Sequence, residues 1–400
     1  MAHSHGHSTL AKTGPLQASG GLKGFFLLSA VIGAAVFAAA LSTDAERAWA
    51  SFIHNHFYFM SLALGGVFFV ALQWLTGAMW SAPVRRIAEA FTSYLPAALI
   101  FFAVLYFGIH NLFEWSHPEH VRGDLILEGK TSYLNVPNFM TRNFCAILLW
   151  IFFAKKMVGN SLAQDATGDV KFTNKNRFMA PGFMVLFALS FTMASFDLLM
   201  SLDPHWFSTM FGVYCFAGMI YSVFALTCIV TIYLRRQGAL KEFVNENHLH
   251  DLGKFMFGFT VFWAYIGFSQ YMLIWYANMP EETGYFIHRF HGNWMAVSVF
   301  LLLGKFVTPF FLLIRRESKR REGRLLFVGF WMLLAQWIDV LWMVQPEFFS
   351  EGPKVGWIEI GVFLGFLGVF GTFVLRFLGK HNVVAIGDPK LPQAVFHHHQ

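Results

Sequence analysis

Two aspartates set inside apolar runs are the residues of this chain best placed for chemistry. In Phe196-Asp-Leu-Leu-Met-Ser-Leu-Asp-Pro-His-Trp-Phe-Ser208, Asp197 lies in an apolar stretch that closes on Asp203-Pro204. The same order recurs in Asp339-Val-Leu-Trp-Met-Val-Gln-Pro346-Glu-Phe-Phe-Ser350: an aspartate, six residues, a proline, one residue, an aromatic, then Phe-Ser. Asp197 thus matches Asp339, Pro204 matches Pro346 and Ser208 matches Ser350, which reads as an internal repeat. An unpaired aspartate deep in hydrocarbon costs roughly 2.5–3.5 kcal/mol on insertion scales. Two at matching places therefore call for a function, and the chemistry open to a buried carboxyl is proton exchange. The bland alternative is that both acids only fix helix packing through interhelical hydrogen bonds.

Further polar side chains gather on the same side as these aspartates. His54 and His56 open the second apolar run, and His110 and Glu114 close the third, one helical turn apart. Asp203, His205, His288, His291, Gln336, Glu347 and Glu359 complete the group. On the other side the comparable cluster is His248, His250 and Asp251. A proton route through the chain would use Asp197, Asp339, Glu114, His110, Asp203 and His205, with His248, His250 and Asp251 at the far entrance. A quinone ring needs donors or acceptors near the interface, and His110, Glu114, His205 and His291 are the candidates. Histidines at helix ends are more often only interfacial.

Metal and cofactor ligands are not encoded in a recognisable pattern. Cys145, Cys215 and Cys228 lie in apolar segments without a C-x-x-C or C-x-x-C-H pattern, which argues against an iron–sulfur cluster or c-type haem on this chain. His56 with His110 is the one pairing for a haem b, and the sequence puts both near the water interface. His3, His5 and His7 sit in a polar Ser/Gly tail with no role assigned.

The elements that must position these residues follow from composition. Hydrophobic residues make up 56% of the 400, aromatic ones 18% and charged ones 13%, an inventory that a water-soluble globule could not cover. Apolar runs at about 24–41, 53–80, 94–112, 138–157, 179–202, 206–234, 254–277, 291–314, 325–344 and 356–378 give ten spans of an all-α polytopic membrane protein. The net charge of +6 comes from Lys and Arg in the short connections, where they set orientation, so nucleic acid is not an expected partner. With the N-terminus inside, twenty-two basic residues face the cytoplasm and six, Arg47, Arg122, Lys130, Arg142, Arg289 and Lys354, face outward. Both termini are then cytoplasmic. Lys305 falls within the eighth span, about two turns from its inner end, and is expected to snorkel.

Outward-running spans share proline endings: Trp115-Ser-His-Pro118, Trp275 to Pro280, Trp342 to Pro346, and Asp203-Pro204. These endings pair span three with seven and span five with nine. The expected organisation is a tail at 1–23, a peripheral span and loop at 24–52, a four-helix bundle at 53–205, a second at 206–345, a loop and peripheral tenth span at 346–378, and a tail at 379–400. Glycines at Gly258 and Gly267, in the aromatic run beginning Phe255, leave room for an isoprenoid tail between helices.

Three stretches carry a family resemblance. Ser201-Leu-Asp-Pro-His-Trp-Phe-Ser-Thr-Met-Phe-Gly-Val-Tyr214, His248-Leu-His-Asp-Leu-Gly-Lys-Phe255 and Ser269-Gln-Tyr-Met-Leu-Ile-Trp-Tyr-Ala-Asn-Met-Pro-Glu-Glu282 resemble the NrfD-like membrane subunits of alternative complex III, in size and span number the ActF type. The resemblance implies a bacterial inner-membrane quinol:electron-acceptor oxidoreductase. It also implies partners: an ActC-like second NrfD-type subunit, an iron–sulfur subunit, multihaem and monohaem cytochromes c, and a terminal oxidase. Haem c and iron–sulfur clusters would reside in those partners, and quinone or quinol is the one small molecule this chain would meet. A proton-coupled secondary transporter and a purely structural anchor are the competing classes.

Overall fold

A computed structural model describes residues 14–397; the histidines at positions 3, 5 and 7 lie outside the described residues. The fold is all-helical, and among the described residues ten helices are long and apolar enough to cross a membrane. They are α1 (Gly20–Thr43), α2 (Ala45–Thr76), α3 (Arg85–Leu112), α4 (Val136–Thr167), α5 (Lys171–Leu202), α6 (Phe211–Arg236), α7 (Glu246–Ala277), α8 (Trp294–Leu313), α9 (Glu322–Glu347) and α10 (Trp357–Leu378). A short helix, Pro280–Phe290, lies between α7 and α8. This is a multi-pass membrane protein.

Burial sorts the ten helices. In α2 and α6, 78% and 83% of the apolar window is covered by protein, against 17% in α1 and 28% in α7 and α8. The first two therefore form the centre, and the last three turn mostly outward. α1 is held by close backbone contact with α10: a Cβ on Gly33 would lie 2.1 Å from the Gly365 Cα. Glycine at both positions lets the backbones meet, as small residues do in membrane helix pairs. α10 reaches further inward, where Phe366 packs on Phe52 and Phe101.

The Leu16 amide donates to the Leu378 carbonyl at 2.8 Å, so the described chain ends meet at one end of the bundle, the termini end. Successive spans alternate in direction, which puts the proline-closed ends of α5 and α9 at the opposite end. Both helices finish there in a 3₁₀ turn, Met200–Leu202 and Gln345–Glu347.

Several helices extend past their apolar windows. α4 runs on to Thr167 and α5 starts at Lys171, because polar side chains lock the two together at the termini end. Gln164 donates to Thr173 and Asn160 to Asn176, both at 2.8 Å. At the opposite end Asp44 caps α2, its carboxylate accepting from the Arg47 amide. That early start corrects the placement of His54 and His56. They lie roughly 13–17 Å along the helix rather than at its mouth, and both are wholly buried.

Candidate functional site

The second aspartate is held by the hairpin of α8 and α9. Lys305 Nζ donates to Asp339 Oδ2 at 2.6 Å and to Gln336 Oε1 at 2.7 Å, and Tyr214 of α6 donates its hydroxyl to Asp339 Oδ1. Lys305 and Asp339 are both fully buried. The ammonium also sits 4.0 Å from the Trp263 ring centroid and 5.1 Å from that of Tyr221, a cation–π cage that partly replaces lost hydration. The expectation that Lys305 snorkels is therefore corrected. A carboxylate within reach binds the ammonium more favourably than the long path to water.

Local sequence explains how the lysine is turned inward. Pro309, four residues on, has no N–H to give the Lys305 carbonyl, and residues Leu301–Val307 form a π-helical stretch. The freed carbonyls find other donors. Tyr221 donates to the Lys305 carbonyl at 3.2 Å and the Trp331 indole to that of Gly304 at 2.7 Å. The widened turn fixes Lys305 against α9, and π-turns of this kind often mark functional sites.

Asp197, the matching acid, is equally buried but differently held. Arg142 of α4 contacts both carboxylate oxygens at 3.0 Å, and Asn143 donates to Oδ2 at 2.8 Å. Arg142 stacks 3.7 Å from the Tyr133 ring centroid and keeps 19% of its side chain exposed. Among the described residues the Asp197 and Asp339 carboxylates share no hydrogen-bonding partner, so each belongs to its own hairpin. Two further ion pairs join helix ends on this side. Arg47 binds Glu359 at 2.7 Å, and the wholly buried Arg289 binds Glu347 at 2.9 Å.

The other sequence candidates are dispersed. α3 ends at Leu112 and Phe113 is extended, so His110 and Glu114 do not share a helical face. His110 meets Ser116 at 3.1 Å, and Glu114 lies 3.9 Å from His120. His205 binds Asp124 at 2.6 Å, Asp203 Oδ1 accepts from the Trp206 amide at 3.3 Å, and the exposed His291 bonds the Ile287 carbonyl at 2.7 Å. At the termini end Asp251 contacts Lys254 at 2.6 Å and His397 at 2.8 Å, while His248 caps α7 with Asn245 and His250 is buried beside them. His56, packed between Phe52 and Phe102, has no hydrogen-bonding partner among the described residues, and His110 is exposed, so the two do not form a ligand pair.

The site's cations escaped the sequence reading. Arg142 and Arg289 look there like orientation charges. A lysine four residues ahead of a proline inside an apolar run was the available signal for Lys305. No known protein-family model matches the chain, and no curated protein matches it significantly.

Proposed function

We propose that this chain is the membrane subunit of a quinol:electron-acceptor oxidoreductase of the NrfD-like, alternative complex III kind, in which Lys305, Asp339 and Tyr214 form a proton-exchanging centre. The observation that carries this reading is the sealed Lys305–Asp339 pair on a π-helical turn. Two titratable groups of opposite charge, withdrawn from water, have an ionic state and a neutral state that differ by one proton transfer. Desolvation costs several kcal/mol per ion and draws those states together in energy. Tyr214 is the donor on the second carboxylate oxygen, so a proton reaching Asp339 from that side releases Lys305 from its partner.

The repeat belongs to the same reading. α2–α5 and α6–α9 are two copies of one four-helix bundle, flanked by α1 and α10, and the copies meet at the central pair α2 and α6. Supporting it, Asp197 and Asp339 take their cations from corresponding helices, α4 and α8. By the distribution of basic residues the termini end faces the cytoplasm of a bacterial inner membrane. Electron-carrying haem c and iron–sulfur clusters then reside in partner subunits, and the ionic centre lies toward the periplasmic side.

Two measurements test the proposal. Affinity purification of the tagged chain from its native membrane is expected to bring multihaem cytochrome absorbance with it, whereas a haem-free homodimer would favour a secondary transporter. In the assembled complex, Asp339→Asn is expected to lower quinol-driven proton release, because the amide keeps the shape and one acceptor oxygen but cannot titrate. Full proton release from an assembled Asp339→Asn complex would leave only a packing role.

A further inference from the structure

A cavity of about 380 Å³ adjoins the ionic centre, between α7, α8 and the helix Pro280–Phe290. Small-molecule sites commonly measure about 300–1,000 Å³. Its inner wall is made by Tyr214 and Trp263, the same two rings whose other contacts are Asp339 and Lys305. Opposite stand Tyr285 and Phe286 of the short helix, held in place by Arg289, which lies 3.4 Å from the Tyr285 ring centroid and donates to the Trp342 and Met343 carbonyls at 3.1 Å. Space exists because Gly267 faces Tyr214 without a side chain; a Cβ there would come within 3.2 Å of that ring. At the mouth, Phe268 and Leu302 are uncovered by protein, so the cavity opens sideways to hydrocarbon.

More than one polar group in its lining lacks a partner among the described residues, and the indole N–H of Trp263 is one. Gln270 is 95% buried, lines the cavity, and its amide makes no hydrogen bond among the described residues. An amide facing such an apolar space without a partner is unfavourable, and the remedy is a ligand oxygen or water. No Lys, Arg, Asp or Glu lines the cavity, which disfavours a charged headgroup. Aromatic walls suit a flat ring, the lateral mouth suits a hydrocarbon tail, and the amide suits a ring carbonyl or hydroxyl.

We infer that this cavity binds the ring of an isoprenoid quinone or quinol, with Gln270 on a ring oxygen and the ring against the wall that backs Lys305 and Asp339. This deepens the proposed function and rests on it for the choice of a quinone among ring-headed lipids. It also moves the quinone site away from His110, Glu114, His205 and His291.

The test uses the full chain alone, in nanodiscs of phosphatidylcholine free of quinone, with a photoreactive azido-naphthoquinone carrying a ten-carbon tail. Labelling is expected on peptides between residues 263 and 302, and unlabelled short-chain naphthoquinone should compete it away. Gln270→Leu, similar in size, should weaken binding about fivefold to tenfold, the loss of one hydrogen bond. Gln270→His, which keeps a donor, should recover part of it, and Gly267→Leu should remove labelling by filling the space. Labelling elsewhere, or wild-type affinity in both Gln270→Leu and Gly267→Leu, would overturn the assignment. So would a tightly retained phospholipid, seen by native mass spectrometry, that the quinone does not displace. Because no cytochrome is present, binding can succeed while co-purification fails, and the reverse.

Discussion

The hairpins α4–α5 and α8–α9 each bury an aspartate on their second helix and answer it with a cation from the first, yet the cations differ in kind. Arg142 grips Asp197 with two parallel bonds, stacks on Tyr133 and keeps an edge in water. A guanidinium does not release its proton at any physiological pH. Along the same hairpin Trp150 donates to Ser190, Asn160 to Asn176 and Gln164 to Thr173, so Asp197 is the last rung of a polar ladder. Lys305 sits on a π-turn, wholly buried, with a tyrosine on the far side of its acid and a cavity behind its aromatic cage. An ammonium can be neutralised. On the proposed function, the matching aspartates thus belong to a permanent clasp in one hairpin and to a switchable pair in the other.

The largest expected effect separates the two by stability. Lys305→Met leaves Asp339 buried without its cation, and breaking such a pair typically costs about 3–5 kcal/mol. Arg142→Met should cost less, on the order of 1–3 kcal/mol, because a partly exposed site lets water reach the acid that remains. Unfolding in lipid nanodiscs, followed by tryptophan emission, ranks the variants. A larger loss at Arg142 would break the comparison. The double variant Lys305→Met with Asp339→Leu should recover much of the loss, since no charge is left behind.

Exchanging the cations asks for function instead. Lys305→Arg keeps the positive charge but cannot deprotonate, so quinol-driven proton release should fall by about tenfold or more in a complex that still assembles. Arg142→Lys should leave release within about twofold, because a clasp requires charge and not titration. Equal losses from the two exchanges would mean that both hairpins, or neither, handle protons.

Much of this arrangement could be read from the residues alone, for physical reasons that also mark where reading stops. Ten spans follow from apolar length, and the two aspartates stand out because charge is costly among apolar neighbours. Their partners do not stand out. Arg142 and Lys305 lie 55 and 34 residues from their acids, and hydropathy says nothing about rotation about a helix axis. Arg142 counted as an orientation charge and Lys305 as a snorkeling one, although both point inward. His54 and His56 read as interfacial because the Asp44 cap that starts α2 precedes the apolar window. Gln270 gave no signal, since its meaning depends on Gly267 leaving space one turn away and on a short helix closing the other side.

The smallest effect comes from a third ionic contact, which serves as a surface reference for the two buried ones. Asp124 accepts from His205 and from the amides of Ile126 and Leu127, thereby capping the short helix Leu125–Lys130 and tying it to the loop after α5. The His205 bond first, and the Leu127 amide next, hold its carboxyl below the ordinary 3.8. A depressed carboxyl contributes stability that is present above the unfolded value and lost as pH falls through the folded one. The contribution of this carboxyl should therefore be present above about 4 and be lost below it. Limited proteolysis of residues 118–135 at graded pH measures this: cleavage should rise only at the acid end, with the spans intact. Asp124→Asn, which can still cap but does not titrate, should flatten the profile. If acid instead opens the α4–α5 hairpin before this loop, Arg142 is not the permanent clasp its geometry describes.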